Sequence, residues 1–377
     1  MCISHPKNSM LVKLKRDVQL PQERKLQPMI QLDALRAIAV FGVLACHWLP
    51  KHLFLNSHLA LGILGVKFFF VLSGFLITLL LLEYRKNIDD GKKDIGVTIR
   101  RFYIRRFLRI FPIYYLTIFL ITIFYLRRDP SLIWHLTYTS NFYYSLHPWD
   151  INSHFWTLAI EFQFYLFWPL LIFLFPQKHL EKLIVSTIII APVFRILCVA
   201  MGLSDEIRMQ LLIPGSLDSL GLGALLAFYN YNPHRAKTKK ILCNWGFWLG
   251  GTLSFAIALT RPHIDPGLRL AIADSINALF FVWIVERAAR GFGGILGMVL
   301  EFKPLVYFGK ISYGIYIYHS FVAAVIIPNI LSYLGFSYPN SIGIQFVLNS
   351  ITTVIVAMVS WHYIEQPINN LKRHFKI

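Results

Sequence analysis

Hydrophobic runs of about 20 residues recur along this chain, and that is the length a helix needs to span the hydrocarbon core of a bilayer. Of its 377 residues, 56% are hydrophobic and only 15% are charged, a balance that excludes an ordinary water-soluble domain. Ten runs are read as spans, at 30–49, 59–82, 107–126, 155–175, 182–201, 210–229, 241–260, 269–287, 305–331 and 341–364. The expected fold class is therefore all-α, a polytopic membrane helix bundle of about ten transmembrane helices.

The chain is strongly basic, with 37 Lys and Arg against 19 Asp and Glu, which in a soluble protein would suggest nucleic acid. In a membrane chain the same residues first report topology, because cytoplasmic loops retain them. Segments on one side of the spans carry 26 Lys and Arg and those on the other side five. Both termini are thus expected in the cytoplasm, the protein in the cell inner (cytoplasmic) membrane with lipid around it, and no nucleic-acid partner is needed. The first 29 residues are hydrophilic and no small-residue cleavage pattern follows, so the first span is read as its own insertion signal. Residues 1–29 read as a basic cytoplasmic tail, 30–367 as one membrane domain and 368–377 as a short cytoplasmic tail. The longest connections are the basic 83–106 loop, inside, and the aromatic 127–154 loop, outside. Cys2, Cys46, Cys198 and Cys243 are scattered without CxxC spacing and point to neither disulfides nor zinc.

Ionisable residues inside membrane spans are expensive and so mark candidate sites. In the first run Arg36 and His47 stand eleven residues apart, on one helix face and about 16 Å apart along the axis. Arg36 would lie toward the cytoplasm and His47 near the outer surface, although snorkelling from the span ends would also account for both. Glu161, in the fourth run, lies about a turn and a half below the outer surface, at a depth comparable to His47. A carboxylate that orients an imidazole and stabilises its protonated form makes a general base, so His47 and Glu161 are the expected catalytic pair. The alternative is a structural hydrogen bond from Glu161 to nearby tyrosines.

Arg105, Arg106 and Arg109 crowd the inner end of the third run, where guanidinium groups suit phosphates and where topology alone also places arginine. Ser312, Tyr316 and His319 recur at i, i+4 and i+7 on one helix face, a pattern shared with ordinary bundle packing. Asp218 lies mid-span, where Arg195 or another cation would pair with it, and Asp33 suits helix N-capping. No two histidines have i, i+3 or i+4 spacing, so no helix-borne metal site is expected.

Seven stretches, "LDALRAIAVFGVLACH", "GVKFFFVLSGFLIT", "RRFLRIFP", "HFWTLAIEFQFY", "SLDSLGLGALLA", "SYGIYIYH" and "YIEQP", follow one another in this order. Together they resemble the acyltransferase 3 family of integral-membrane acyltransferases, over nearly the whole chain from Gln31 to Pro367. Arg36, His47, Ser73, Gly74, Phe75, Pro112, Trp156, Glu161, Tyr165 and Glu365 fall at matching motif positions. Lys67 departs from the pattern where many members carry an acidic or polar residue, Thr157 replaces a more usual serine, and Phe162 replaces a common second glutamate. The soluble esterase-like domain fused to some members is not expected here.

The resemblance implies transfer of an acyl group, usually acetyl, from coenzyme A on the cytoplasmic side to a hydroxyl of an outer carbohydrate. O-antigen of lipopolysaccharide or another surface polysaccharide is the first expectation, ahead of peptidoglycan, a lipid-linked glycan or a small molecule. Acetyl-CoA is then a donor substrate, held by Arg36, Arg105, Arg106 and Arg109, and no cofactor is permanently bound. His47 would act directly on the acceptor or help form an acyl-enzyme on Ser73, Tyr165, Ser312, Tyr313 or Tyr316, with Asp218 and His319 as further candidate contacts. A secondary transporter or exporter of a small polar or acylated substrate is the main rival, but no pair of similarly interrupted spans suggests inverted repeats.

Overall fold

The computed structural model describes residues 29–124, 130–202 and 209–375, and no β-strand occurs among them. Without water in the hydrocarbon layer every backbone polar group must be satisfied within its own segment, and helices do this. In order they are α1 (Ile30–Trp48), α2 (Leu61–Asp89), α3 (Ile95–Phe124), α4 (Trp156–Leu174) and α5 (Leu180–Ala200). They continue as α6 (Leu217–Tyr231), α7 (Pro233–His263), α8 (Pro266–Arg290), α9 (Lys303–Lys310), α10 (Ser312–Tyr333) and α11 (Ile342–Phe375).

Among the described residues nine of these helices are long and apolar enough to cross a membrane. The run expected at 210–229 differs, because a 3-10 turn at Ile213–Ser216 leads into α6, which is 15 residues long and buried from Asp218 to Tyr229. Protein surrounds it, so it needs no lipid-facing surface of full bilayer length. The basic 83–106 segment is not the loop expected from its charge. α2 runs on to Asp89 and α3 begins at Ile95, leaving a tight turn with Gly91 at φ 69°. Its lysines, arginines and glutamate are good helix formers, the break falls where Asp89, Asp90 and Gly91 disfavour helix, and Asp94 accepts from the Val97 N–H as α3 begins.

Small residues set the closest approaches. A Cβ on Gly74 would lie 2.0 Å from the Leu220 carbonyl oxygen and one on Gly223 1.9 Å from that of Val71, so α2 and α6 meet backbone to backbone. Two buried ion pairs tie this centre together. Arg195 on α5 meets Asp218 on α6 at 2.7 Å, with Ser275 of α8 donating to the same carboxylate. Lys67 on α2 meets Asp274 on α8 at 2.7 Å and donates to Ser216.

Both ends of the described chain lie at one face, since Arg105 donates to the Phe375 carbonyl at 3.5 Å and Arg36 shares a cavity with Arg109. Within the short tail expected at 368–377 a 3-10 turn, Leu371–Phe375, packs against α3, while the expected 1–29 tail lies, Met29 excepted, outside the described residues. Asp33 does not cap α1 but pairs with Arg36 one turn on. At the opposite face the aromatic segment folds back as Leu132–Leu136, Ser140–Leu146 and a turn at Ser153–Phe155. Its buried Tyr138 stacks on Tyr114 at 4.1 Å and on Phe162 at 4.3 Å.

Candidate active site

A cavity of about 350 Å³ opens between α1, α2, α3, α4 and α10. Three layers of polar groups follow one another along it. The first lies where the chain ends gather. Arg36, Arg106 and Arg109 line the cavity, and Arg106 and Arg109 also line a smaller basin of about 120 Å³ with Arg105, Tyr84 and Lys372. Arg36 is paired with Asp33. Among the described residues no carboxylate stands within ion-pair distance of Arg105, Arg106, Arg109 or Lys372. Four like charges gathered without a counterion repel one another, and an anion would relieve that repulsion. Arg106 is kept in place by the rings of Phe102 and Tyr165, 5.6 and 5.9 Å from its guanidinium carbon.

The second layer is a closed set of three side chains. Ser73 donates to Glu161 Oε1 at 2.9 Å, and Tyr165 is 3.0 Å from Ser73 Oγ and 3.3 Å from Glu161 Oε2. Glu161 and Tyr165 are i and i+4 on α4 and so share a face, and the close α2–α6 contact fixes how α2 presents Ser73. Tyr313 from α10 borders the same space and donates to the Ile110 carbonyl at 2.7 Å. Ser312 also lines the cavity.

The third layer closes the cavity. Tyr316 donates to the His154 carbonyl at 2.7 Å, and its hydroxyl oxygen lies 2.6 Å from that of Thr157. Beyond it lie three imidazoles. His319 has its ring centre 4.8 Å from that of His47 and 4.6 Å from that of His154. The Tyr316 carbonyl accepts from His319 Nδ1 at 2.6 Å, and Ser320 stands 3.2 Å from Nε2.

His47 and Glu161, expected as a bonded pair, are therefore in different layers. The carboxylate is taken up by Ser73 and Tyr165, in part the tyrosine hydrogen bond that was the alternative, and His47 packs on histidines. Matched depth does not secure contact because the two helices turn these residues to different neighbours. Asp218 faces Arg195, Ser219 and Ser275 instead of the cavity. Lys67, the departure from the family pattern, also points away, toward Asp274. Sequence reasoning missed His154 and Lys372. His154 opens the "HFWTLAIEFQFY" motif and was readable as its neighbour, whereas only the general basicity of the C-terminal residues hinted at Lys372. Among the described residues no group of three or more His, Cys, Asp or Glu is placed to hold a metal ion.

A helical bundle that holds an uncompensated cationic basin at the mouth of a cavity, and an imidazole cluster beyond the cavity's closed end, defines a membrane protein with polar groups gathered inside it. This chain belongs to the family described as an acyltransferase domain, whose model matches residues 29–362. It is 29% identical to the peptidoglycan O-acetyltransferase OatA of Listeria monocytogenes, over 94% of this chain and 58% of that protein. It is 30% identical to the putative peptidoglycan O-acetyltransferase YrhL of Bacillus subtilis, over 89% of this chain and 54% of that protein. The O-acetyltransferase OatA of Staphylococcus aureus is likewise 30% identical, over 92% of this chain and 57% of its own length. The chain thus spans little more than half the length of these relatives. No solved structure matches it significantly.

Proposed function

We propose that this chain is an O-acetyltransferase of the inner membrane that passes an acetyl group from acetyl-CoA to a hydroxyl of a cell-envelope glycan. The observation that carries the reading is the unpaired cluster of Arg105, Arg106, Arg109 and Lys372 at the mouth of the cavity. The phosphates of coenzyme A supply the missing negative charge, and the narrow pantetheine arm follows the cavity past Arg36 toward Ser73, Glu161 and Tyr165. The positive-inside rule puts this basin in the cytoplasm, where acetyl-CoA is made. Glycan acceptors lie on the other side, nearer the imidazoles. The names of the relatives favour peptidoglycan over the O-antigen first expected from the sequence.

In the transfer the acceptor oxygen attacks the thioester carbonyl carbon while His47 takes the hydroxyl proton. The C–S bond then breaks, the proton passes from His47 to the departing coenzyme A sulfur, and the acetyl ester stays on the glycan. A positioned base of this kind contributes about 10² to 10⁴ in rate. Glu161 holds the Ser73 and Tyr165 hydroxyls in one orientation along the path of the acyl-pantetheine, before the Tyr316–Thr157 layer that must part for the thioester to reach His47. Glu161→Gln keeps one of its two acceptor positions, so turnover should drop by about tenfold, roughly the worth of one charge-assisted hydrogen bond, with acetyl-CoA affinity nearly unchanged. The direct test is glycan-dependent release of coenzyme A by purified protein in lipid nanodiscs. A protein that binds acetyl-CoA but releases no coenzyme A with any glycan would be no transferase, and uptake without thioester cleavage would make it a transporter.

A further inference from the structure

A second cavity, of about 270 Å³, opens on another face of α2, between that helix, α7 and α8. Its walls are largely apolar, with Ile63 and Leu64 from α2, Phe255 from α7, and Phe280 and Phe281 from α8. Its lining also holds Gln210 and Asn277, which are 8% and 9% exposed. Neither carboxamide has a hydrogen-bond partner among the described residues, and Gln210 is engaged only through its backbone carbonyl, which accepts from Ser216. Ser254 Oγ, on the α7 side, is buried and equally unpartnered. Asp274 lines the same space, with its carboxylate held by Lys67 at 2.7 Å. Arg261 and Arg269 border it where α7 turns into α8.

A lipid chain entering from the bilayer would fit the walls and leave these groups unsatisfied, which is unfavourable for buried amides and hydroxyls. A hydroxyl-rich ring fits both. Each carboxamide offers a donor and an acceptor, as sugar hydroxyls and acetamido groups require, and the phenylalanine faces suit the C–H face of a pyranose. We propose that this cavity is a subsite for one sugar residue of a glycan acceptor, lying beside the reaction cavity with α2 between them. The proposal rests on the reading that the acceptor is a glycan.

The test is binding without turnover. Full-length protein in lipid nanodiscs is titrated calorimetrically with a soluble tetrasaccharide of N-acetylhexosamine, in the absence of donor. Asn277→Leu and Gln210→Leu should each weaken binding about three- to tenfold, the worth of a neutral hydrogen bond. Ala258→Trp, which fills the cavity from α7 and leaves the carboxamides in place, should abolish it. Acetyl-CoA binding, read separately on each variant, reports that the bundle is folded. Wild-type tetrasaccharide affinity in all folded variants, or no binding by the wild-type protein, overturns the subsite. A lipid that copurifies with the wild type and is displaced in Ala258→Trp while tetrasaccharide binding persists also overturns it. Sugar binding sensitive to these substitutions in a protein that never releases coenzyme A would keep the subsite and sink the transferase reading alone.

Discussion

Arg109→Gln should distinguish acetyl-CoA from acetyl-pantetheine, which carries the same thioester without the nucleotide and its phosphates. Arg109 is the best of the basic residues for this test. It borders both the basin and the cavity, is exposed, and makes no ion pair within the described chain. Arg106 is a poorer choice because its removal also strips packing from Phe102 and Tyr165, and Arg105 is partly committed to the Phe375 carbonyl. A charge-assisted contact to phosphate is worth about 1.5–3 kcal/mol, or roughly 10- to 150-fold in affinity. Exposure of Arg109 argues for the lower end, since solvent screens the contact, so about tenfold is expected for acetyl-CoA. Acetyl-pantetheine should lose less than about twofold on the same scale. Removing one of four mutually repelling charges should leave thermal stability unchanged or slightly raised, which separates this outcome from misfolding. Competition binding in nanodiscs at two salt concentrations reads both donors. An equal loss for the two, or none for either, would show that the basin does not hold the phosphates.

Three further outcomes follow from the same geometry. His47→Ala should abolish coenzyme A release with little loss of membrane abundance, and adding His319→Ala should make it scarcely worse, because residues in one unit give non-additive losses; multiplicative losses would mean that the touching rings act separately. Asp274→Asn leaves Lys67 buried without its counterion and should destabilise the bundle by about 3–5 kcal/mol, whereas Lys67→Met with Asp274→Leu should recover most of it; a single variant that melts with the wild type would argue against the buried pair. In a background without the native cysteines, one placed at Lys92, in the turn between α2 and α3, should be shielded from an impermeant thiol reagent in intact cells. One at Trp149 should react, and the opposite labelling would reverse the orientation that the basic residues indicate.

Much of the site is legible in the amino-acid sequence. Arg36, Arg106, Arg109, Ser73, Glu161, Tyr165, Ser312 and Tyr316 all line one cavity, and each lies in a motif quoted from the sequence. Their partners are less legible. Glu161 and His47 match in depth, yet Glu161 bonds to Ser73 and Tyr165 while His47 rests on His319. The pairing of Asp218 with Arg195 comes closer, because two opposite charges deep in neighbouring spans have few other ways to be compensated. The short α6 escapes a sequence reading for a related reason. An apolar run reports that a segment avoids water, and it does so equally for a helix facing lipid and for one enclosed by other helices.

The sequence by itself determined the helical class and the height of each polar residue along its helix, because hydrophobic length and a fixed rise per residue are local properties. Only the tertiary structure decided which heights face one another. That depends on the rotation of each helix about its axis, set here by contacts far apart in the chain, such as Gly74 against Leu220, Gly223 against Val71 and Gly309 against Asp33. Those contacts bring Ser73 to Glu161 and help turn Lys67 toward Asp274, and together with the fold-back of the 130–155 segment they place His154 beside His319.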